Sequence, residues 1–225
     1  MRNPLVRPGR LAFGWLVLLA AAGLIILTGA GRPLPTACGP RLAYLAPASA
    51  SPANIWIADP AEPENARQIT FSRSGIDDFA VSPDGSRLAY AERRPDRSAT
   101  DLYLLDLASG AARRLTDCTD EHCAMPAWRP DGGMIAYERT YTSQGTPRTR
   151  VWLLDLTADP PVNRPLLADA QIVSYAPTWS PDGTQLAVYD GQRGGIQVYD
   201  FRTEALIFIA SYGGSTGPFS PDGQY

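Results

Sequence analysis

Few residues in this 225-residue chain could do chemistry, and the scarcest is histidine. His122 is the single imidazole, set in the acidic run Asp117-Cys118-Thr119-Asp120-Glu121-His122-Cys123. A serine hydrolase needs a nucleophile beside a base. With one loop histidine and no Gly-x-Ser-x-Gly elbow, a triad would have to rest on that residue alone. The expectation is a solvated histidine and no catalytic residue. Cys118 and Cys123 lie five apart, close enough to bridge the loop, or to remain free thiols; Cys38 is left over. A zinc site from Cys118, His122 and Cys123 lacks the fourth ligand that structural zinc takes. The acid pairs Asp77-Asp78 and Asp120-Glu121 precede matching apolar segments, where a calcium site along one rim competes with ordinary solvated loops; the loops are the expectation. Phosphate-binding glycine loops, Gly-x-Gly-x-x-Gly and EF-hand patterns do not occur. No metal and no cofactor is therefore expected. Net charge is −3, so there is no basic field to draw in nucleic acid.

The elements that would position these residues come from an internal repeat. Pro-Asp-Gly occurs at Pro83-Asp84-Gly85, Pro130-Asp131-Gly132, Pro181-Asp182-Gly183 and Pro221-Asp222-Gly223, with spacings of 47, 51 and 40 residues. Proline fixes φ at the first corner of a turn, aspartate caps it, and glycine accepts positive φ. Ser82, Ser180 and Ser220 precede three of these turns, and Arg129 the fourth. Short apolar runs follow: Leu88-Ala89-Tyr90, Ile135-Ala136-Tyr137 and Leu186-Ala187-Val188. A third element comes next, from Asp101 (DLYLLDL), Val151 (VWLLDLT) and Ile196 (IQVYDFR), and Ala112 to Thr116 supplies a fourth. Their β-branched and aromatic content reads as strands. In DLYLLDL, leucines on both faces predict a strand covered on both sides.

An earlier unit fits the same template. Gly39-Pro40-Arg41-Leu42-Ala43-Tyr44 repeats residues 85–90, Asn54–Asp59 matches DLYLLD, and Ala66–Thr70 matches the fourth strand. First strands are expected at 77–82, 124–129, 174–180 and 215–220, so the first unit lacks its own and the last segment stands alone. Trp56, Trp128, Trp152 and Trp179 fall on repeat strands, where packing between units is their expected role.

The motif Ser82-Pro83-Asp84-Gly85-x-x-Leu88-Ala89-Tyr90, and Trp179-Ser180-Pro181-Asp182-Gly183, resembles the TolB-like (WD40-like) propeller repeat across about residues 39–223. The resemblance implies an all-β propeller of four-stranded blades. About four blades are present, as part of a larger propeller or as a ring closed by residues 215–220 pairing with 41–45. It also implies a surface that contacts proteins or peptides of the cell envelope, and it does not carry the transport role of TolB itself.

The N-terminus sets the expected compartment. Arg2, Arg7 and Arg10 precede an uncharged run from Leu11 to Ala30, and twenty helical residues span about 30 Å of hydrocarbon. Arginines on that flank hold it in the cytoplasm. The chain thus divides into cytoplasmic residues 1–10, a transmembrane signal anchor at 11–30, a linker at 31–38 and an extracytoplasmic propeller at 39–225. A cleaved signal peptide, ending near Thr28-Gly29-Ala30, is the alternative and would make the protein secreted or periplasmic. The expected function is a membrane-anchored, non-enzymatic protein- or ligand-binding module. The alternative is the propeller portion of a prolyl-oligopeptidase-like hydrolase whose catalytic domain is not in this sequence.

Overall fold

The computed structural model describes residues 39–47, 52–96 and 98–223. The apolar run Leu11–Ala30, Cys38 and the linker 31–38 lie outside the described residues. Within them every regular element is a strand, and no helix is long and apolar enough to cross a membrane.

The first sheet holds β1 (Leu42–Ala46), β2 (Asn54–Asp59) and β3 (Glu62–Gln68). The second repeat gives β4 (Ile76–Val81), β5 (Arg87–Arg93), β6 (Thr100–Asp106) and β7 (Ala112–Arg114). The third gives β8 (His122–Trp128), β9 (Met134–Ser143), β10 (Thr146–Asp155) and β11 (Val162–Pro165). These two antiparallel units join into one eight-stranded sheet through a single parallel bridge, Thr100 to His122. The third sheet, from the fourth repeat, is β12 (Ser174–Trp179), β13 (Gln185–Asp190), β14 (Gly195–Asp200) and β15 (Leu206–Ala210).

Three of the four expected first strands form, within two residues of the expected bounds. The fourth does not: residues 215–220 belong to no sheet, and β1 pairs only with β2. Of the two geometries left open, closure of a ring by pairing 215–220 with 41–45 is therefore absent among the described residues. Instead Thr216 Oγ1 meets Thr178 Oγ1 at 2.9 Å and donates to the Ala176 carbonyl at 3.0 Å, which holds that segment against β12.

The Pro-Asp-Gly turns form as their residues dictate, with Gly85, Gly132, Gly183 and Gly223 at φ of 68–71°. The preceding serine does more than the sequence pattern indicated. Ser82 Oγ donates to Asp84 Oδ1 at 2.6 Å while accepting from Arg87 N at 2.9 Å, and Ser180 repeats both bonds with Asp182 and Gln185. Arg129 replaces that serine in the third repeat by donating Nε to Asp131 Oδ1 at 2.8 Å. These bonds favour the ionised carboxylates, holding Asp84 well below the usual range and Asp182 at about 2.

The core lies between sheets rather than within one. Ile55 packs with Ile76, Leu88, Tyr90 and Leu105 between the first and second repeats. Ala89, Leu102 and Leu104 meet Trp128, Ile135 and Tyr137 between the second and third. Met134, Ala136, Val151 and Leu153 meet Trp179, Leu186 and Val188 between the third and fourth. Leu102, Leu104 and Leu105 are all buried, so β6 is covered on both faces as expected. Each such leucine contributes roughly 2–3 kcal/mol by leaving water.

Candidate functional site

The first strands β4 and β12 both lie against β8, the first strand of the repeat between them. Each carries a register irregularity: between Ile76 and Asp78, between Ala124 and Ala127, and between Tyr175 and Thr178. Bulges re-aim side chains and often border functional sites. Met125 and Ala176 occupy the same place in successive repeats and take φ of 53° and 54°, a left-handed geometry unusual for non-glycine residues.

What holds those bulges is a carboxylate from the preceding repeat. Asp78 Oδ2 accepts from Met125 N at 3.0 Å, and Glu138 Oε1 accepts from Ala176 N at 2.8 Å. Asp78 Oδ1 is buried and has no hydrogen-bond partner. Burial, with Asp77 and Glu138 adding like charge, pushes the Asp78 carboxyl up to about 6 despite the bond from Met125. Burial likewise raises Glu138. Asp78, Phe79, Met125, Pro126, Ala127, Ala176, Pro177 and Thr178 together line a cavity of about 280 Å³. It is mostly apolar, with one carboxylate and one half-exposed methionine, a surface that can receive a nonpolar chain bearing one polar or cationic group.

The tryptophans tie the same strands together. Trp128 Nε1 donates to the Ala80 carbonyl at 3.1 Å and Trp179 Nε1 to the Ala127 carbonyl at 3.0 Å, each reaching the preceding repeat. Arg87 adds a guanidinium 5.0 Å from the centre of the Trp128 ring. Trp56 and Trp152 occupy another repeat position, and their buried indole nitrogens are unpartnered.

The remaining sequence candidates separate. Asp77-Asp78 lies inside β4, whereas Asp120-Glu121 precedes β8, so the two pairs are not at equivalent positions as expected from the sequence. Asp77 forms an ion pair with Arg93 and Glu121 one with Arg139. Cys118 and Cys123 form a disulfide that closes the loop between the second and third repeats, with Cα atoms 6.2 Å apart, and both are buried. Their sulfurs are thereby removed as thiolate ligands. Thr100 Oγ1 meets His122 Nδ1 at 3.1 Å, so the imidazole sits on the bridge between the second and third repeats. Among the described residues no group of three or more metal-binding side chains converges.

TolB from Acinetobacter baumannii superposes with a TM-score of 0.64 and 25% identity, over 88% of this chain and 48% of that protein. The fold is that of a TolB-like β-propeller. Hydrazine synthase from Kuenenia stuttgartiensis shares the propeller fold at 18% identity and a TM-score of 0.61, over 76% of this chain and 60% of its own. So does a prolyl endopeptidase, at 17% identity and 0.56, over 80% of this chain and 29% of its own. By sequence, dipeptidyl-peptidase 5 from Porphyromonas gingivalis is 36% identical over 70 residues, 28% of this chain and 10% of that enzyme. No protein-family model matches the chain. The repeats are thus propeller blades, and the cavity is lined by the first strands of three of them.

Proposed function

We propose that this chain is a non-enzymatic binding module, displayed outside the cytoplasmic membrane by residues 11–30. It receives a protein or peptide of the cell envelope on the inner side of the propeller. The observation that carries the reading is the cavity built from the same short stretch of three successive blades, with strained backbone at Met125 and Ala176. Left-handed non-glycine residues cost roughly 1–3 kcal/mol each and persist where the surroundings enforce them. The two carboxylate clamps do so here. Met125 supplies adaptable apolar surface, and Asp78 favours a ligand group that carries a donor or positive charge.

The full chain, extracted in mild detergent and used as bait on envelope extracts, should retain a specific partner. Met125→Asp should lose it while the far-ultraviolet circular dichroism stays unchanged. Retention of the partner by Met125→Asp, or capture of none by the wild-type chain, overturns this reading. Protease added outside intact cells should cut the propeller and leave a membrane-bound stub; full protection would sink the proposed display.

A second reading is favoured by the 36% identity to dipeptidyl-peptidase 5: the propeller portion of a prolyl-oligopeptidase-like serine hydrolase. A coding sequence for a Gly-x-Ser-x-Gly domain continuing past Tyr225 would replace the first reading with the second.

A further inference from the structure

Between the first and second blades lies a groove that shares no residue with the cavity at Asp78. Two adjoining hollows of about 510 and 360 Å³ form it, with Phe71, Ser72, Glu92 and Tyr103 common to both. One wall is the connection 69–74 leaving the first blade, and the other is the face of the second blade built by β5, β6 and β7. Tyr90 and Tyr103 are partners across β5 and β6 and stack with ring centres 5.5 Å apart. Phe71, 70% exposed, borders the opening. Glu92 is half-buried and stands two residues beyond Tyr90, on the same face of β5. Burial first, and then the Glu92 charge, raises both phenols above their usual range, which puts that carboxylate beside the two rings.

The next interface shows what this position holds when the chain fills it with its own side chains. Tyr137 and Trp152 are partners there as Tyr90 and Tyr103 are here, and Arg139 stands where Glu92 does, two residues after the tyrosine. Its guanidinium lies 4.5 Å from the centre of the Trp152 ring and pairs with Glu121, the residue just before β8. A planar cation is thus held between an aromatic face and a carboxylate. In the groove the ring is Tyr103 and the carboxylate is Glu92, which has no ion pair among the described residues. The nearby guanidiniums are committed to other acids: Arg93 to Asp77, and Arg94 and Arg114 to Asp101 and Asp117. Arg73 also lines the groove, but it is exposed and pairs with no acid among the described residues.

We propose that this groove binds an arginine side chain of a partner peptide, with the guanidinium over the Tyr103 ring and paired to Glu92. A guanidinium can stack on the ring and still offer two parallel N–H groups to the carboxylate. The ammonium of lysine is a compact, strongly hydrated point charge and does neither as well. Phe71 gives the methylene stem of the incoming side chain an apolar surface to lie on. The arrangement is the one Arg139, Trp152 and Glu121 make one blade later, with the cation supplied from outside the chain. This site and the cavity at Asp78 can be occupied together.

The test titrates the full chain, in mild detergent and low salt, with N-acetyl-arginine amide by calorimetry. N-acetyl-lysine amide and N-acetyl-citrulline amide serve beside it, the second keeping the shape of arginine without its charge. The arginine amide should bind saturably, the lysine amide more weakly, and the citrulline amide not measurably. Glu92→Gln should weaken arginine amide binding about tenfold, and Tyr103→Leu about threefold, with circular dichroism unchanged. Tyr103→Phe keeps the ring and should bind as the wild type does. Glu92→Arg gives the second blade the residue of the third and should abolish binding. Met125→Asp, which alters only the other cavity, should leave it unchanged, so the two sites fail or stand separately. No binding of the arginine amide by the wild type overturns the proposal, and so does undiminished binding by Glu92→Gln. Equal binding of the citrulline amide also overturns it, because charge would then play no part. Binding of N-acetyl-aspartate amide that is lost in Arg73→Ala marks an anion site instead and overturns it as well.

Discussion

Replacing Asp78 with asparagine should flatten the acid side of the stability profile. In the folded chain burial holds this carboxyl at about 6, against 3.8 for an unperturbed aspartate. The folded state therefore binds the proton more tightly than the unfolded one. The associated stability is fully present below pH 3.8, declines as pH rises, and is lost above pH 6. At about 1.36 kcal/mol per unit of pKa, the whole span is roughly 3 kcal/mol, of which about 1.3 kcal/mol falls between pH 7 and pH 5. Asparagine keeps an acceptor for Met125 N, and any constant cost of its amide at the unpartnered position cancels when the two pH values are compared. The turn aspartates act the other way: Asp84, Asp182 and Asp200 are held below the usual range. Their contribution is lost only as pH falls below about 4, outside the chosen window. The assay is urea unfolding followed by tryptophan fluorescence at pH 5 and pH 7, for wild type and Asp78→Asn. The wild type should gain about 1 kcal/mol more than the variant on acidification. An equal gain in both, or a larger one in the variant, would refute the assignment of a desolvated, ionised Asp78 at neutral pH.

Three further outcomes follow from the packing. Trp179→Phe keeps the ring but removes the donor to the Ala127 carbonyl; it should cost about 1 kcal/mol, read as a lower urea midpoint with an unchanged slope. Gly195→Ala brings a Cβ to 2.5 Å from the Phe208 ring and 2.6 Å from the Ile209 carbonyl. It should cost about 1–3 kcal/mol as β14 and β15 separate, measured by the thermal midpoint. Cys118→Ala/Cys123→Ala opens a short loop and should cost about 2 kcal/mol on the chain-entropy view of disulfides, by the same measurement.

The repeat was legible because its signals are local. Pro-Asp-Gly sets a turn by backbone preference alone, and Leu-Ala-Tyr and DLYLLD strands announce themselves by composition. The outer strands β11 and β15 were not singled out: VNRP carries no strand pattern, and LIFIA stands apart from the polar outer strands of its neighbours. Residues 215–220 look like the other first strands in sequence but form no sheet, because a strand needs a partner edge as well as a suitable composition. The candidate cavity was the least legible part. Asp78 reads as half of an acid pair, and only the fold shows its carboxylate reaching a bulge 47 residues away. Met125 and Ala176 carry no signal at all, since their left-handed backbone is imposed by those clamps. The disulfide stayed open in the sequence between bridge and free thiols; the fold brings the two cysteines together in a loop that Asp101 also holds, its Oδ1 accepting from Cys118 N at 2.7 Å.

The bridge from Thr100 to His122 and the adjoining disulfide make the second and third blades one sheet, whereas the first and fourth blades join them by packing and scattered hydrogen bonds outside any shared ladder. Repeat arrays lose structure from their ends inward, one nearest-neighbour contact at a time. Here the erosion meets a stop. Amide exchange should run through β1–β3 and β12–β15 well before it reaches β5, β6 and β9, and limited proteolysis should leave a resistant fragment of about residues 72–169. Breaking the disulfide should merge these two kinetic classes, turning a chain with a durable centre into one that unravels blade by blade.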